Sequence, residues 1–400
     1  MQRTIQTSYR YRLDPTVEQE IMLGRFAGAR RFVWNWALNR KREYFQQTGK
    51  TLSYNDLAAE LTRLKQQSAT AWLREMDSQS LQQALRDLEN AYHHFFRRIR
   101  NGEKRKGFPR FKSRKTDTPR FRVPQRVTLD GSFVSVPKIG LIRVVLHRLH
   151  EGTIKGATFK REACGHWYVC LVVEQQLASQ VERPVVTHIG VDVGLKSLAV
   201  LSTGETIDNP RWYRTQSRKL RRAQKALSRK VKGSRNRDKA RTQVARLHQK
   251  TKSQRNDFLH KLSTDLIRHN DLVSIEDLNV RGLAKTKLAT SVLDASWGMF
   301  RAMLTYKADR ASRHLIAVGR FFPSSKTCGA CGLINASLTL SDRDWTCPCG
   351  VHHDRDLNAS RNIDREGMRL FEQNVAAGCA ETQNACGDPV SPIVMVGTGR

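Results

Sequence analysis

The stretch that decides the fold is Ile189-Gly-Val-Asp-Val-Gly-Leu-Lys-Ser-Leu-Ala-Val200. Residues 185–193 read as a buried strand and 198–201 as a second, followed by a turn at Thr203-Gly204. Asp192 stands inside the first apolar run. Burying a carboxylate there is costly unless a metal or cation meets it. The alternative is an alternating strand that turns Asp192 to solvent.

Two further acids share this setting. Glu276 ends the apolar run of Leu272-Val-Ser-Ile-Glu-Asp-Leu278, and Asp356 lies in His353-Asp-Arg-Asp-Leu-Asn-Ala359, ahead of a short helix expected over 358–363. Phosphodiester hydrolysis needs an activated water and a stabilised leaving oxygen, and two divalent ions ~3.5–4 Å apart supply both. Mg2+ takes hard oxygen ligands and keeps several waters, so few carboxylates suffice. Asp192, Glu276 and Asp356 are therefore the candidate catalytic acids and Mg2+ ligands, with Mn2+ as the alternative ion. Asp277 should point to the opposite face by strand alternation. Asp354 is an alternative to Asp356, or a group supporting it.

Between the second and third acids lie Cys328-Gly-Ala-Cys331 and Cys347-Pro-Cys349-Gly. Four thiolates at this loop length predict a zinc ribbon, and four protein ligands leave no open position, so the Zn2+ is structural. The second pair is one residue shorter than usual, and His352 or His353 could replace one thiolate. Lys326, just ahead of the cluster, either touches phosphate or is an ordinary solvated lysine. Cys164, Cys170, Cys379 and Cys386 are scattered.

Seventy Lys+Arg against thirty-seven Asp+Glu give a net charge of +33. That excess implies a polyanionic partner, because phosphate neutralisation releases counterions. Residues 211–255 concentrate it, with eighteen Lys/Arg and the single acid Asp238. Apolar residues there still fall on helical faces (Leu220, Ala223, Leu227; Ala240, Val244, Leu247), predicting two basic helices broken near Lys232-Gly-Ser-Arg235 and a separate buried helix over 259–269. They suit a nucleic-acid backbone; the alternative is a solvated surface. No apolar run reaches the ~18–20 residues of a membrane span. The first ten residues lack a signal-peptide core, so a cytoplasmic protein is expected.

The N-terminal half reads as a strand over 3–13, a helical block over 18–100, then a basic linker, Lys104-Arg-Lys-Gly-Phe-Pro-Arg-Phe-Lys112. Phe108 and Phe111 either stack on unpaired bases or anchor the linker. Short alternating segments then run from 121 to 146, with a hairpin over 156–174 turning at Ala163-Cys-Gly-His166. This predicts a small β-barrel with the helices inserted after its first strand. The paired strands from 185 begin as a ribonuclease H-like domain does.

Taken in order, Gly190-Val-Asp-Val-Gly194, Ile275-Glu-Asp-Leu278, Ser324-Ser-Lys-Thr-Cys-Gly-Ala-Cys-Gly332 and His353-Asp-Arg-Asp-Leu-Asn358 resemble the TnpB family, transposon-encoded relatives of type V CRISPR effectors. Tyr11-Arg-Leu-Asp-Pro-Thr16 and Gly107-Phe-Pro-Arg-Phe-Lys112 extend the resemblance over residues 3–365. It implies an α/β multidomain protein: a RuvC (RNase H-like) nuclease with a zinc ribbon insertion, and a β-barrel wedge domain with an inserted helical recognition domain. The expected divisions are wedge 1–17 and 106–184, recognition 18–105, nuclease 185–320 and 352–372, ribbon 321–351, and an unstructured tail 373–400. The resemblance also implies an RNA-guided double-stranded DNA endonuclease, needing a short motif beside the target. It would act as a monomer with a guide RNA from the transposon end, in a prokaryotic cytoplasm at the nucleoid. Asp192, Glu276 and Asp356 match its catalytic acids and the four cysteines its zinc ligands. A non-cleaving RNA-guided repressor and a protein-only DNA-binding regulator or transposase are the competing readings.

Overall fold

A computed structural model describes residues 2–178, 184–339 and 341–376, and the chain divides into two compact units, Met1–Ser179 and Gln180–Arg400. Among the described residues no helix is long and apolar enough to cross a membrane.

The first unit opens with β1 (Gln2–Asp14). Pro15 ends the strand, and Thr16 caps α1 (Val17–Thr48) in a reciprocal pair with Gln19. Next come α2 (Tyr54–Leu64), a short 3-10 helix (Ser68–Glu75), α3 (Ser78–Arg100), and strands β2 (Arg120–Val123), β3 (Thr128–Asp130), β4 (Phe133–Val136), β5 (Gly140–Val145), β6 (Thr153–Arg161) and β7 (Trp167–Ala178). The seven strands form one antiparallel sheet in the order β2-β6-β7-β1-β5-β4-β3. The expected barrel is thus an open sheet in its hydrogen bonding: β2 and β3 are its ends and do not pair with each other. Both edges are short, which limits pairing with other chains. Tyr11, Phe121, Phe159 and Trp167 of the sheet share one core with Leu23, Phe26, Leu85 and Leu88 of the inserted helices.

The second unit contains β8 (His188–Val193), β9 (Ser197–Leu201), β10 (Thr206–Asp208), α4 (Trp212–Ser228), α5 (Arg235–His269), β11 (Leu272–Glu276), α6 (Val280–Leu283), α7 (Ala289–Ala295), α8 (Trp297–Ala311), β12 (His314–Val318), β13 (Asp344–Thr346), β14 (His352–Asp354) and α9 (Arg355–Ala376). Its main sheet has the order β10-β9-β8-β11-β12. The first three strands are antiparallel, and β8, β11 and β12 run parallel. On one face Ile189, Val191, Val273 and Ile275 pack with Leu259 and Leu266 of α5 and Phe300 and Leu304 of α8. The other face carries α9.

That helix lies directly on backbone. A Cβ added to Gly190 would fall 2.1 Å from the Ser360 carbonyl oxygen, and one added to Gly367 would fall 1.8 Å from Ser274 Oγ. Gly190→Ala is therefore expected to push α9 off the sheet and destabilise the unit by about 3 kcal/mol, checked by chemical denaturation. A variant as stable as the parent would show that the helix can shift freely.

Three expectations are corrected. The helix expected over 259–269 is the last part of α5, because no Pro or Gly interrupts residues 235–269. The final helix starts at Arg355 rather than 358 and passes 372 to Ala376, so Asp356 lies in its first turn. Past the expected ribbon boundary at 351, β14 pairs with β13, so the small two-stranded sheet extends to Asp354. The rest of the expected tail, with Cys379 and Cys386, lies outside the described residues.

A candidate metal centre and a four-cysteine cluster

Strands β8 and β11 run parallel with Val191 opposite Ile275. Asp192 and Glu276 are the next residues along the two strands and lie near one another at the strand ends. They share the face that Gly190 and Ser274 present to α9. From Gly190 to Asp192 the strand rises about 6.6 Å, and from Ser360 back to Asp356 the helix travels about 6 Å. Asp356 is thus one turn from the contact with Gly190, within electrostatic reach of Asp192.

The charges register this approach. Burial, then Glu276 and Asp356, push the Asp192 carboxyl up to about 8; Arg355 opposes and Asp354 adds to the rise. By area Asp192 is only half-buried. Protein atoms nevertheless ring the carboxyl, and this local desolvation governs its charge. Glu276 accepts from Ser324 Oγ at 2.5 Å. Asp356 accepts from Arg343 Nη1 at 3.3 and 3.4 Å and has Arg355 Nε at 3.6 Å. The three carboxylates do not converge on one point: among the described residues, only the four cysteines gather three or more ligand atoms within 4.8 Å of one another. A pair of cations would itself need spread ligands.

The neighbouring acids have other work. Asp354 precedes α9 and accepts from the Leu357 amide at 2.7 Å, as a helix cap does. Asp277 pairs with Arg301 and with Arg320 at 3.0 Å. Ser324 and Arg343 were not singled out in the sequence, since neither sits in a spacing pattern that marks a site.

The cysteine sulfurs fit a tetrahedral ion. Cys328 and Cys349 are 3.7 Å apart, and Cys331 and Cys347 3.6 Å. A tetrahedron with zinc–sulfur bonds of ~2.3 Å has edges of about 3.8 Å, so the short Cys347-Pro-Cys349 spacing still reaches. Burial opposes ionisation of Cys328, but hydrogen bonds from the Cys331 and Ala330 amides and from His353 outweigh it and hold the thiol well below its usual range. His353 Nε2 lies 3.1 Å from Cys328 Sγ, with its ring against Trp345. His352 is turned instead to Thr346 Oγ1 at 3.1 Å. Lys326 reaches the Ala336 carbonyl at 3.2 Å.

Of the eighteen cations in residues 211–255, all but Arg237 and Arg255 are exposed. Arg255 pairs with Asp294 at 2.6 Å, and Asp294 also accepts from the Tyr213 amide at 2.9 Å. Asp294, on α7, thus caps α4, whose own preceding residue Arg211 supplies no side-chain cap. In the first unit the linker aromatics make contacts with the helices and stay partly exposed. Phe108 packs edge-on against Tyr92 and Phe95, and Arg42 lies over Phe108 and Phe111. Trp34 Nε1 donates to the Arg110 carbonyl at 3.0 Å.

Residues 168–287 match the family described as "Probable transposase", residues 297–363 "Cas12f1-like, TNB domain", and residues 1–50 "Helix-turn-helix domain". The last span folds here as β1 followed by one continuous helix to Thr48. A Streptomyces pristinaespiralis protein named "Putative RNA-guided DNA endonuclease" is 40% identical over 98% of this chain and 94% of its own length. The Escherichia coli K12 protein of that name, InsQ, is 35% identical over 91% and 93%. A solved structure titled as a Cas12f1–sgRNA–target DNA complex aligns over 90% of this chain and 99% of that one, at 13% identity and a TM-score of 0.47, too low to argue from. Identity of 40% across nearly the whole of both chains is decisive: the protein belongs to the TnpB family.

Proposed function

We propose that this protein is an RNA-guided, metal-dependent endonuclease that cleaves double-stranded DNA beside a short adjacent motif. The observation that carries the reading is that Asp192 and Glu276 directly follow Val191 and Ile275, the last paired residues of two adjacent parallel strands, and that Asp192 feels the charges of both Glu276 and Asp356. Asp192, largely desolvated and beside two other carboxylates, has no cation paired with it in a salt bridge among the described residues, a poor structural arrangement and a good cation site. The relatives' names agree with it.

In this reading Asp192, Glu276 and Asp356 hold Mg2+, or Mn2+, which supplies the activated water and stabilises the leaving oxygen. Asp192 is the central ligand, since its environment disfavours its charge until a cation arrives. Ser324 orients Glu276. Arg343 and Arg355 neutralise Asp356. Zn2+ on Cys328, Cys331, Cys347 and Cys349 holds the ribbon and takes no part in hydrolysis. The five-stranded sheet with α9 is the RuvC-like domain, the seven-stranded sheet the wedge, and α1–α3 the recognition domain. The exposed cations of α4 and α5 bind nucleic-acid backbone. The protein works as a monomer with one guide RNA, in the cytoplasm at the nucleoid.

The test is to express the protein with its flanking transposon DNA, sequence the co-purifying RNA, and challenge the complex with matched duplex. A discrete RNA whose 3′ sequence directs Mg2+-dependent cutting is expected. Only random RNA fragments, with specific duplex binding after all RNA is removed, would refute guidance.

A further inference from the structure

Asn358 and Asn362 lie one turn apart on the same face of α9 and are 4% and 3% exposed. Neither amide faces solvent. Asn358 Nδ2 donates to the Thr327 carbonyl at 2.7 Å, and its Oδ1 accepts from the Gly329 amide at 3.0 Å. Asn362 Nδ2 donates to the Ser324 carbonyl at 2.8 Å and to the Thr327 carbonyl at 2.7 Å. Both asparagines therefore grip the single segment 324–329. One end of that segment is Ser324, 4% exposed, whose hydroxyl donates to Glu276. Near its other end is Cys328, in the four-sulfur cluster. The asparagines' own helix carries Asp356 two residues before Asn358.

We propose that Ser324, Asn358 and Asn362 are positioning residues that tie Glu276 and Asp356 to the cysteine knuckle, so that the folded zinc site sets the spacing of the carboxylates. This rests on the carboxylate reading given above. Three independent pieces of chain meet there: the end of β11, the first turn of α9 and the knuckle. The Gly190 and Gly367 contacts seat α9 on the sheet from Ser360 onward, and the asparagines tie the start of the same helix to the knuckle segment. Buried amides bonded in this way on both sides of the helix turn hold one geometry.

The test uses the protein loaded with its guide RNA and zinc, without target DNA, and follows Mn2+ binding by electron paramagnetic resonance. Ser324→Ala and Asn362→Leu should each weaken Mn2+ binding about tenfold, as loss of groups behind metal ligands does. Zinc content and target-DNA affinity should stay at wild-type values, while the Mg2+ concentration for half-maximal cutting rises in parallel. Ser324→Thr, which keeps the hydroxyl, should restore binding. Wild-type Mn2+ affinity in both variants would overturn the proposal, as would weakening that only tracks lost zinc. Asp192→Asn run alongside separates the two readings. If it binds Mn2+ normally, the carboxylate site itself falls. If it loses Mn2+ while Ser324→Ala and Asn362→Leu keep it, only the coupling falls.

Discussion

Asp192→Asn is expected to load guide RNA and bind target normally but cut at least about a thousandfold more slowly, a loss of roughly 4 kcal/mol of transition-state stabilisation. The side chain keeps its shape and loses only its charge, so the fold should survive. It should in fact gain. The carboxyl is held at about 8 in the folded protein, above its ordinary value. Between about pH 4 and pH 8 the metal-free folded state thus keeps a proton that the unfolded chain releases, and stability falls as pH rises through that window. Asparagine has no such liability. In chelator, the variant should be more stable than the parent by about 2–4 kcal/mol near neutral pH, with no difference near pH 4. Mg2+ should stabilise the parent, increasingly as pH rises towards 8 and level above it, and leave the variant unmoved. Thermal unfolding at acid and alkaline pH, with and without Mg2+, reads all of this. A variant that cuts like the parent, or is less stable in chelator, would remove Asp192 from the centre.

Cys328→Ser should have the second largest effect. The ribbon's apolar core among the described residues is Cys328, Leu338, Trp345 and Cys347, two of them ligands themselves. So small a core cannot hold the segment folded; in zinc domains of this kind the metal contributes ~10–16 kcal/mol. The variant should lose zinc from one ion per chain to none. Amides across residues 324–354 should then exchange with solvent freely, while those of the first unit stay protected. Metal analysis with hydrogen exchange measures both, and full zinc retention would show that the cluster is not the site.

The legibility of this chain in its sequence was uneven, for reasons particular residues make plain. Asp192 and Glu276 stood out because each interrupts or ends an apolar strand, and a parallel sheet leaves such residues few places to point. The cysteine pairs stood out by spacing. The helical stripes of α1 and α3 were visible by period, and their ends were set by the Thr16 cap and by Asp77, which accepts from the Ser80 amide. The continuity of α5 was hidden because its composition changes from basic to apolar midway while its backbone does not. The sequence favoured Asp356 over Asp354 and kept Asp354 as an alternative; the capping bond to Leu357 gives Asp354 a structural task.

What the sequence by itself determined were the local quantities: strand and helix periods, caps, ligand spacings and the excess of positive charge. These follow from residue chemistry within a few positions of each other. What only the tertiary structure decided was which distant groups meet. Ser324 reaches Glu276 across forty-eight positions, and Asn358 reaches Thr327 across thirty-one. Such contacts leave no spacing rule, because register between β8 and β11 and the close approach of α9 over Gly190 bring them together. Sequence decides what each side chain can do; packing decides which partners it has.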